Sequence, residues 1–202
     1  MGLWLASSPL VLASGSTVRR ALLEAAAIPV EARPANLDER AIEADAPSED
    51  PSAVAALLAR EKALRVAASV PGRLVVGADQ TLALGRRRFD KPADRATARA
   101  QLKALAGRTH ELHAAVAVAR GRDVLFEHVA VARLTMRPLS ETFLDRYLDA
   151  AGAAVSASVG AYQVEAIGIE LFDRIEGDYF TILGLPLLPL LAYLRAEGSL
   201  AA

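Results

Sequence analysis

The sequence contains no cysteine. That excludes disulfides, thiolate zinc sites and a cysteine nucleophile, and leaves the chemistry to oxygen and nitrogen groups; it is compatible with a reducing cytoplasm. Net charge is also nearly absent, with 23 Lys and Arg against 24 Asp and Glu. No global field therefore draws the chain to nucleic acid or to an anionic membrane, and any anion site must be local. Aromatic residues are only 5% of the chain and form no stripe with basic ones, which argues again against a nucleic-acid surface. Long apolar runs are missing too: residues 182–194 are too few to span a bilayer and include Pro186 and Pro189. The apolar N-terminus MGLWLASSPLVLAS lacks a basic leader region and is broken by Ser7, Ser8 and Pro9, so it reads as a first strand, with a secretion leader as the alternative. Ala6 stands where a myristoylation signal needs Ser or Thr. The expectation is a soluble cytoplasmic protein.

What is present is ample core material, 53% hydrophobic residues in 202, enough for one domain over residues 1–202. Residues 9–14 read as a short strand that runs through a polar loop into a helix carrying Leu22, Leu23 and Ala26. Residues 30–35 suggest a second strand, 36–51 an acidic loop and 52–70 a helix. The run 74–78 has the pattern of a strand buried on both faces. Arg86, Arg87 and Arg88 read as a solvated turn, and 93–106 as a helix closed by Gly107. Residues 110–119 and 124–136 form a predicted hairpin, and Ser140 caps a helix over 141–151. A strand over 168–175, a loop over 176–179 and a last helix over 186–196 follow. With no repeat or linker, the elements predict one mixed α/β unit.

Three local features carry chemistry. The loop Ser14-Gly15-Ser16-Thr17 leaves a strand and enters a helix, where free N–H groups and the helix dipole favour a phosphate. Arg19 and Arg20 lie in that first turn, an unfavourable place for cations unless a polyanion binds. A serine-capped helix with solvated arginines explains the loop equally well. Asp79 follows the buried run 74–78 at the end where open α/β sheets place ligand crevices. Asp38 and Glu39 could join it on a hard divalent cation, although an aspartate that merely ends a strand and an acidic turn are common. Lys62 and Lys91 matter only if the fold brings them to the serine loop. The segment THELH is one residue short of HExxH and places His110 and His113 on opposite faces of a strand, which excludes joint zinc ligation. Neither a Walker loop nor GxSxG occurs.

LASGSTVRRALLEAAAIP, Asp38-Glu39, AREKA at 59–63, VVGADQ at 75–80, DKP at 90–92, LAGRTHELHAAVAV and RIEGDYFTILGLPL at 174–187 follow, in order and spacing, the pattern of one family. The chain resembles the Maf nucleotide pyrophosphatases over nearly its whole length. The resemblance implies a mixed twisted sheet flanked by helices, two lobes around a cleft, similar to the inosine triphosphate pyrophosphatases, and often a homodimer. It implies a house-cleaning hydrolase of nucleotide metabolism that cuts a nucleoside triphosphate to monophosphate and pyrophosphate with a divalent metal, Mg²⁺ or Mn²⁺. Carried over residue by residue, Asp79 becomes the proton acceptor and Glu39 the family's loop glutamate, the two carboxylates that the hard-cation reading above places on the metal. Ser16, Arg19, Lys62 and Lys91 become substrate-binding residues, and the serine-loop reading above adds Ser14 and Arg20 to them.

The chain also departs from the family pattern SxSPRR, with Thr17 in place of Pro and Val18 in place of the first Arg. Val18, Gln80 and Glu165 differ from the branch acting on dTTP and UTP. Gln80 and Glu165 are similar to the branch associated with 7-methyl-GTP, while Val18 lacks the π-face that branch carries for stacking on a methylated base. A glutamate acceptor suits the N1–H and amino group of guanine. A competing reading is a nucleotide-sensing regulator of septum formation without turnover; the presence of Asp79, Glu39, Lys62 and Lys91 together favours the enzyme.

Overall fold

The computed structural model describes residues 2–46 and 48–202. β1 (Leu10–Leu12) leads through the serine loop into α1 (Thr17–Ala25), and β2 (Val30–Ala32) is followed by α2 (Glu39–Ala44) and α3 (Pro51–Ala67). β3 (Val75–Leu84) turns at Gly85 and Arg86 into β4 (Arg87–Phe89), and α4 (Arg95–Leu105) precedes the long hairpin β5 (Thr109–Arg120) and β6 (Asp123–Met136). After α5 (Glu141–Ala151) come three 3₁₀ turns, Gly152–Ser156, Val159–Ala161 and Ile167–Leu171. β7 (Phe172–Glu176), α6 (Tyr179–Ile182) and α7 (Leu187–Ala196) complete the order.

The strands form a seven-stranded mixed sheet in the order β2-β1-β3-β5-β6-β7, with β4 added beside β3. β1 runs parallel to β2 and β3, and the remaining pairs are antiparallel. On the edge of β3 away from β5, β1 pairs only with Val75 and Val76 and β4 only with Leu82, Ala83 and Leu84. Among the described residues, none pairs as a strand with residues 77–81 there. That gap lets loops and side chains reach the middle of the sheet.

Side-chain alternation along β3 sends Val76, Ala78 and Leu82 to one face and Val75, Gly77 and Asp79 to the other. The first face carries two apolar clusters. Leu10, Leu12 and Leu23 pack with Leu190 and Leu194 of α7. Leu82 and Leu112 pack with Leu102 of α4 and Leu144 of α5. The opposite face is an alanine layer, Ala55, Ala59 and Ala63 of α3 against Val75, Ala115 and Ala117. Small residues let α3 lie close to the strands, and Gly77 makes the closest approach possible: a Cβ there would fall 2.1 Å from the Ala59 carbonyl oxygen and 2.6 Å from the Ala63 nitrogen. Lys62, buried between those two alanines, is thereby carried to the strand that bears Asp79. Among the described residues, no helix is long and apolar enough to cross a membrane.

Several boundaries differ from the sequence pattern. Residues 36–51 contain α2, capped by Asp38, whose side chain accepts from the Ala41 N–H; a six-residue helix with no buried position carries no apolar period. β3 continues to Leu84, so Asp79 lies mid-strand; the apolar run stops at the point where the strand lines the gap. Arg87 and Arg88 belong to β4 rather than to a solvated turn. The segment expected as a strand from 168 begins as a 3₁₀ turn, and the pairing with β6 starts only at Phe172. The strand expected over 30–35 ends at Ala32, and α6 begins inside the expected loop, capped by Asp178.

His110 and His113 face opposite sides of β5. His113 Nδ1 shares a hydrogen bond with Ser52 Oγ at 2.7 Å, whereas His110 is fully buried with Nε2 bonded to the Tyr162 hydroxyl at 2.7 Å. Burial holds the His110 pKa down from 6.5 to about 4. The unfolded chain therefore takes up a proton below 6.5 that the folded chain refuses. Stability from this residue is complete above pH 6.5 and falls by about 3 kcal/mol as the pH drops towards 4. In denaturant unfolding from pH 7.5 to 4.5, His110→Gln is expected to lose stability with acid less steeply than the wild type; parallel curves would remove His110 from the acid response.

Candidate functional site

The gap beside β3 opens into a cavity of about 820 Å³. Its floor is the β1–α1 loop. Ser16 caps α1 by accepting from the Arg19 N–H at 3.3 Å, and Ser14 Oγ accepts from the Ser16 N–H at 3.2 Å. The two hydroxyls thus hold the loop in the form that turns backbone donors towards the cavity.

Arg19 fixes this floor to its surroundings. Its Nε donates to the Gly184 carbonyl at 2.8 Å, and Nη1 donates to the Ala78 carbonyl at 2.9 Å and to Ser14 Oγ at 3.2 Å. The Ala78 carbonyl is one that β3 cannot satisfy across its gap, so the guanidinium replaces a missing strand. Burial lowers the Arg19 pKa, and the charges of Asp79 and Glu39 oppose that shift. Gly184, at φ +83°, makes room, since a Cβ there would fall 3.2 Å from Arg19 Nη2. Three of the guanidinium's five donor hydrogens are used in these bonds, and those on Nη2 stay available for a ligand.

Asp79 meets Lys62 on the α3 side. Lys62 Nζ donates to Asp79 Oδ1 at 2.6 Å and pairs with Glu39 Oε1 at 2.9 Å. Lys62 and Asp79 are nearly buried, while Glu39 reaches in from the first turn of α2. The shared ammonium keeps the two carboxylates within a few ångströms of each other and leaves Asp79 Oδ2 uncommitted. Mg²⁺ characteristically takes one or two carboxylates together with substrate phosphates and water, so Asp79 and Glu39 form a suitable donor pair. Among the described residues, no group of three or more His, Cys, Asp or Glu side chains is arranged to hold a metal by itself.

Gln80 points to the opposite face. Its Nε2 donates to the Thr181 and Ile182 carbonyls, both at 3.0 Å, and only the amide nitrogen can satisfy two carbonyls. Its carbonyl oxygen is left as an acceptor at the cavity wall.

Ser14, Ser16, Val18, Arg19, Glu39, Lys62, Asp79, Gln80, Lys91 and Glu165 all line this cavity. Arg20 does not: neighbours on a helix project about 100° apart, and Arg20 points to solvent, paired with Glu24 at 2.7 Å. Asp38 is used as the cap of α2. Arg88, which the sequence placed in a solvated turn, and Glu43, which it did not single out, line the cavity and pair at 3.0 Å. The signal for Arg88 was alternation after a Gly85 turn, with Phe89 buried beside it.

The Maf-like protein family matches residues 9–197. A Bradyrhizobium diazoefficiens protein named nucleoside triphosphate pyrophosphatase is 59% identical over 201 residues, covering all of both chains. A Mesorhizobium japonicum protein named 7-methyl-GTP pyrophosphatase is 53% identical over 195 residues, 95% of this chain and 97% of that one. Among solved structures, a HAM1 protein from Coxiella burnetii is similar at a TM-score of 0.40 and 17% identity, covering 63% of this chain and 72% of that one. The serine loop, Lys62, Asp79 and the 174–187 segment that receives Arg19 and Gln80 all fall inside the matched region, and the chain belongs to the Maf-like protein family.

Proposed function

We propose that this protein is a nucleoside triphosphate pyrophosphatase that hydrolyses the bond between the α and β phosphates. The observation that carries the reading is the Lys62–Asp79 pair opposite the serine loop, a carboxylate and cations around one cavity at a gap in the sheet. Water attacks the α phosphorus, the bond from that phosphorus to the bridging oxygen breaks, and pyrophosphate leaves with the electron pair. Asp79 Oδ2 takes the proton released by the water. The serine-loop N–H groups, Arg19 Nη2, Lys62 and Lys91 hold the phosphates and disperse the charge that grows on the leaving group. Mg²⁺ or Mn²⁺ held by Glu39 and Asp79 would supply further charge neutralisation.

The base is read on the other face. Gln80 Oε1 and the Glu165 carboxylate are acceptors, which suits a guanine edge with its N1–H and amino donors and disfavours dTTP and UTP. A substrate of the 7-methyl-GTP type fits this set, although Val18 brings no stacking face. The enzyme works on free nucleotides in the cytoplasm as a house-cleaning hydrolase, without nucleic acid. A homodimer is supported by β6, which pairs with β7 only at Arg133–Met136 and leaves its remaining outer edge without a strand among the described residues, with Leu125 and Val131 exposed.

The test is a panel of dTTP, UTP, GTP and 7-methyl-GTP with Mg²⁺ or Mn²⁺, measuring pyrophosphate separately from orthophosphate. Pyrophosphate equal to monophosphate, fastest with a guanine base, is expected. Absence of pyrophosphate from every triphosphate overturns the reading, and Glu165→Gln with unchanged substrate ratios removes that residue from base readout.

A further inference from the structure

Arg88 is the cavity cation that neither the family pattern nor the mechanism above uses. On β4 it lies opposite Ala83 of β3, and Ala83 is four residues from Asp79, so Arg88 and Asp79 share one face of the sheet. Four residues of strand are about 13 Å, a separation that a polyphosphate and an arginine side chain can bridge together. The Arg88 side chain is 29% exposed, whereas Arg86 in the adjoining turn is 96% exposed. Arg88 is therefore turned into the cavity wall rather than towards bulk water.

Its partner is equally specific. Glu39 and Glu43 are one turn apart on α2, hence on one face of that helix. Each meets a cation on the cavity wall: Glu39 pairs with Lys62 at 2.9 Å, and Glu43 pairs with Arg88 at 3.0 Å. α2 has no buried residue, so these two ion pairs are prominent among the ties that hold it over the cavity. A single carboxylate is a weak competitor for a guanidinium against a phosphate chain that offers several charged oxygens in bidentate reach.

From this arrangement we infer that Arg88 binds the pyrophosphate portion of the substrate, and that Glu43 is an internal competitor that occupies Arg88 until the substrate arrives. The inference rests on the pyrophosphatase reading and adds to it a binding residue and a built-in counter-ion. It assigns opposite effects to the two partners. Removing Arg88 weakens polyphosphate binding, and removing the charge of Glu43 strengthens it.

The experiment combines steady-state kinetics on a triphosphate that the wild type turns over with calorimetric titration of inorganic pyrophosphate in Mg²⁺. Arg88→Gln is expected to raise KM and the pyrophosphate Kd about tenfold with kcat within about twofold, and Arg88→Lys to recover part of the loss. Glu43→Gln is expected to lower both constants by a few-fold, while Arg86→Gln changes neither. Inhibition by the nucleoside monophosphate stays as in the wild type. Shifts of Arg88→Gln and Glu43→Gln in the same direction, with the double variant restored towards wild type, would show only a structural latch and overturn the inference. Equal losses for pyrophosphate and monophosphate overturn it too. If the wild type releases no pyrophosphate from any triphosphate, the functional reading fails on its own, and the pyrophosphate titration still reports on Arg88. Matching thermal midpoints confirm that the variants compared are folded.

Discussion

Asp79→Asn is expected to reduce kcat by at least about a hundredfold while the protein remains folded. The substitution keeps the shape of the side chain and its Oδ1 acceptor for Lys62, and it removes both the negative charge and the ability of Oδ2 to take a proton. Lys62 keeps Glu39 as a counter-charge at 2.9 Å, so the buried ammonium is not left alone. The stability loss should therefore be that of one weakened charge-assisted bond, about 1–3 kcal/mol. Activity and denaturant unfolding measured on the same preparation separate the two effects. Full activity would exclude Asp79 as the proton acceptor. A metal titration divides the remaining roles: recovery of the rate at high Mg²⁺ or Mn²⁺ would mean that Asp79 chiefly places the metal, and a rate that stays low at saturating metal is the result expected of a lost base.

The relation between Asp79 and Lys62 illustrates what could be read from the chain and what could not. The buried run 74–78 located the strand and, with it, the carboxylate that follows. Lys62 looked like any lysine of an exposed helical face, because its role depends on how closely α3 lies against β3. That closeness comes from Gly77 and a row of alanines, and alanine and glycine carry little apolar signal. The serine loop was legible because its residue types suit a helix N-terminus. Arg20 was assigned with Arg19 because the sequence does not show which face of α1 turns to the cavity, and neighbours 100° apart cannot both face it. α2 was invisible for a related reason: with nothing buried, it has no period, and its glutamates meet Lys62 and Arg88 only across the cavity. Local chemistry located the ends of the site. The contacts that join those ends are long-range in sequence.

Arg19 brings the second large effect, and it falls on stability before catalysis. Arg19→Met is expected to lower the unfolding free energy by about 3–5 kcal/mol, a large fraction of the 5–15 kcal/mol typical of a domain. The guanidinium reaches three parts of the fold, the β1–α1 loop through Ser14, the β3 gap through the Ala78 carbonyl, and the turn after α6 through the Gly184 carbonyl. Methionine fills much of the volume and leaves both carbonyls without a donor. A buried acceptor stripped of its partner costs about 1–3 kcal/mol, and the Ser14 contact is lost as well. The charge itself is also attracted through space by Asp79 and Glu39, since both carboxylates favour the ionised form of Arg19. Arg19→Lys keeps that charge but cannot span three acceptors with a fixed planar fork, so it should recover less than half of the loss. Urea unfolding at pH 7.5 measures both variants. A loss below about 1 kcal/mol for Arg19→Met would exclude the arginine as a structural tie, whereas the expected loss means that the residue holding the serine loop in place is also the one that closes the gap in the sheet.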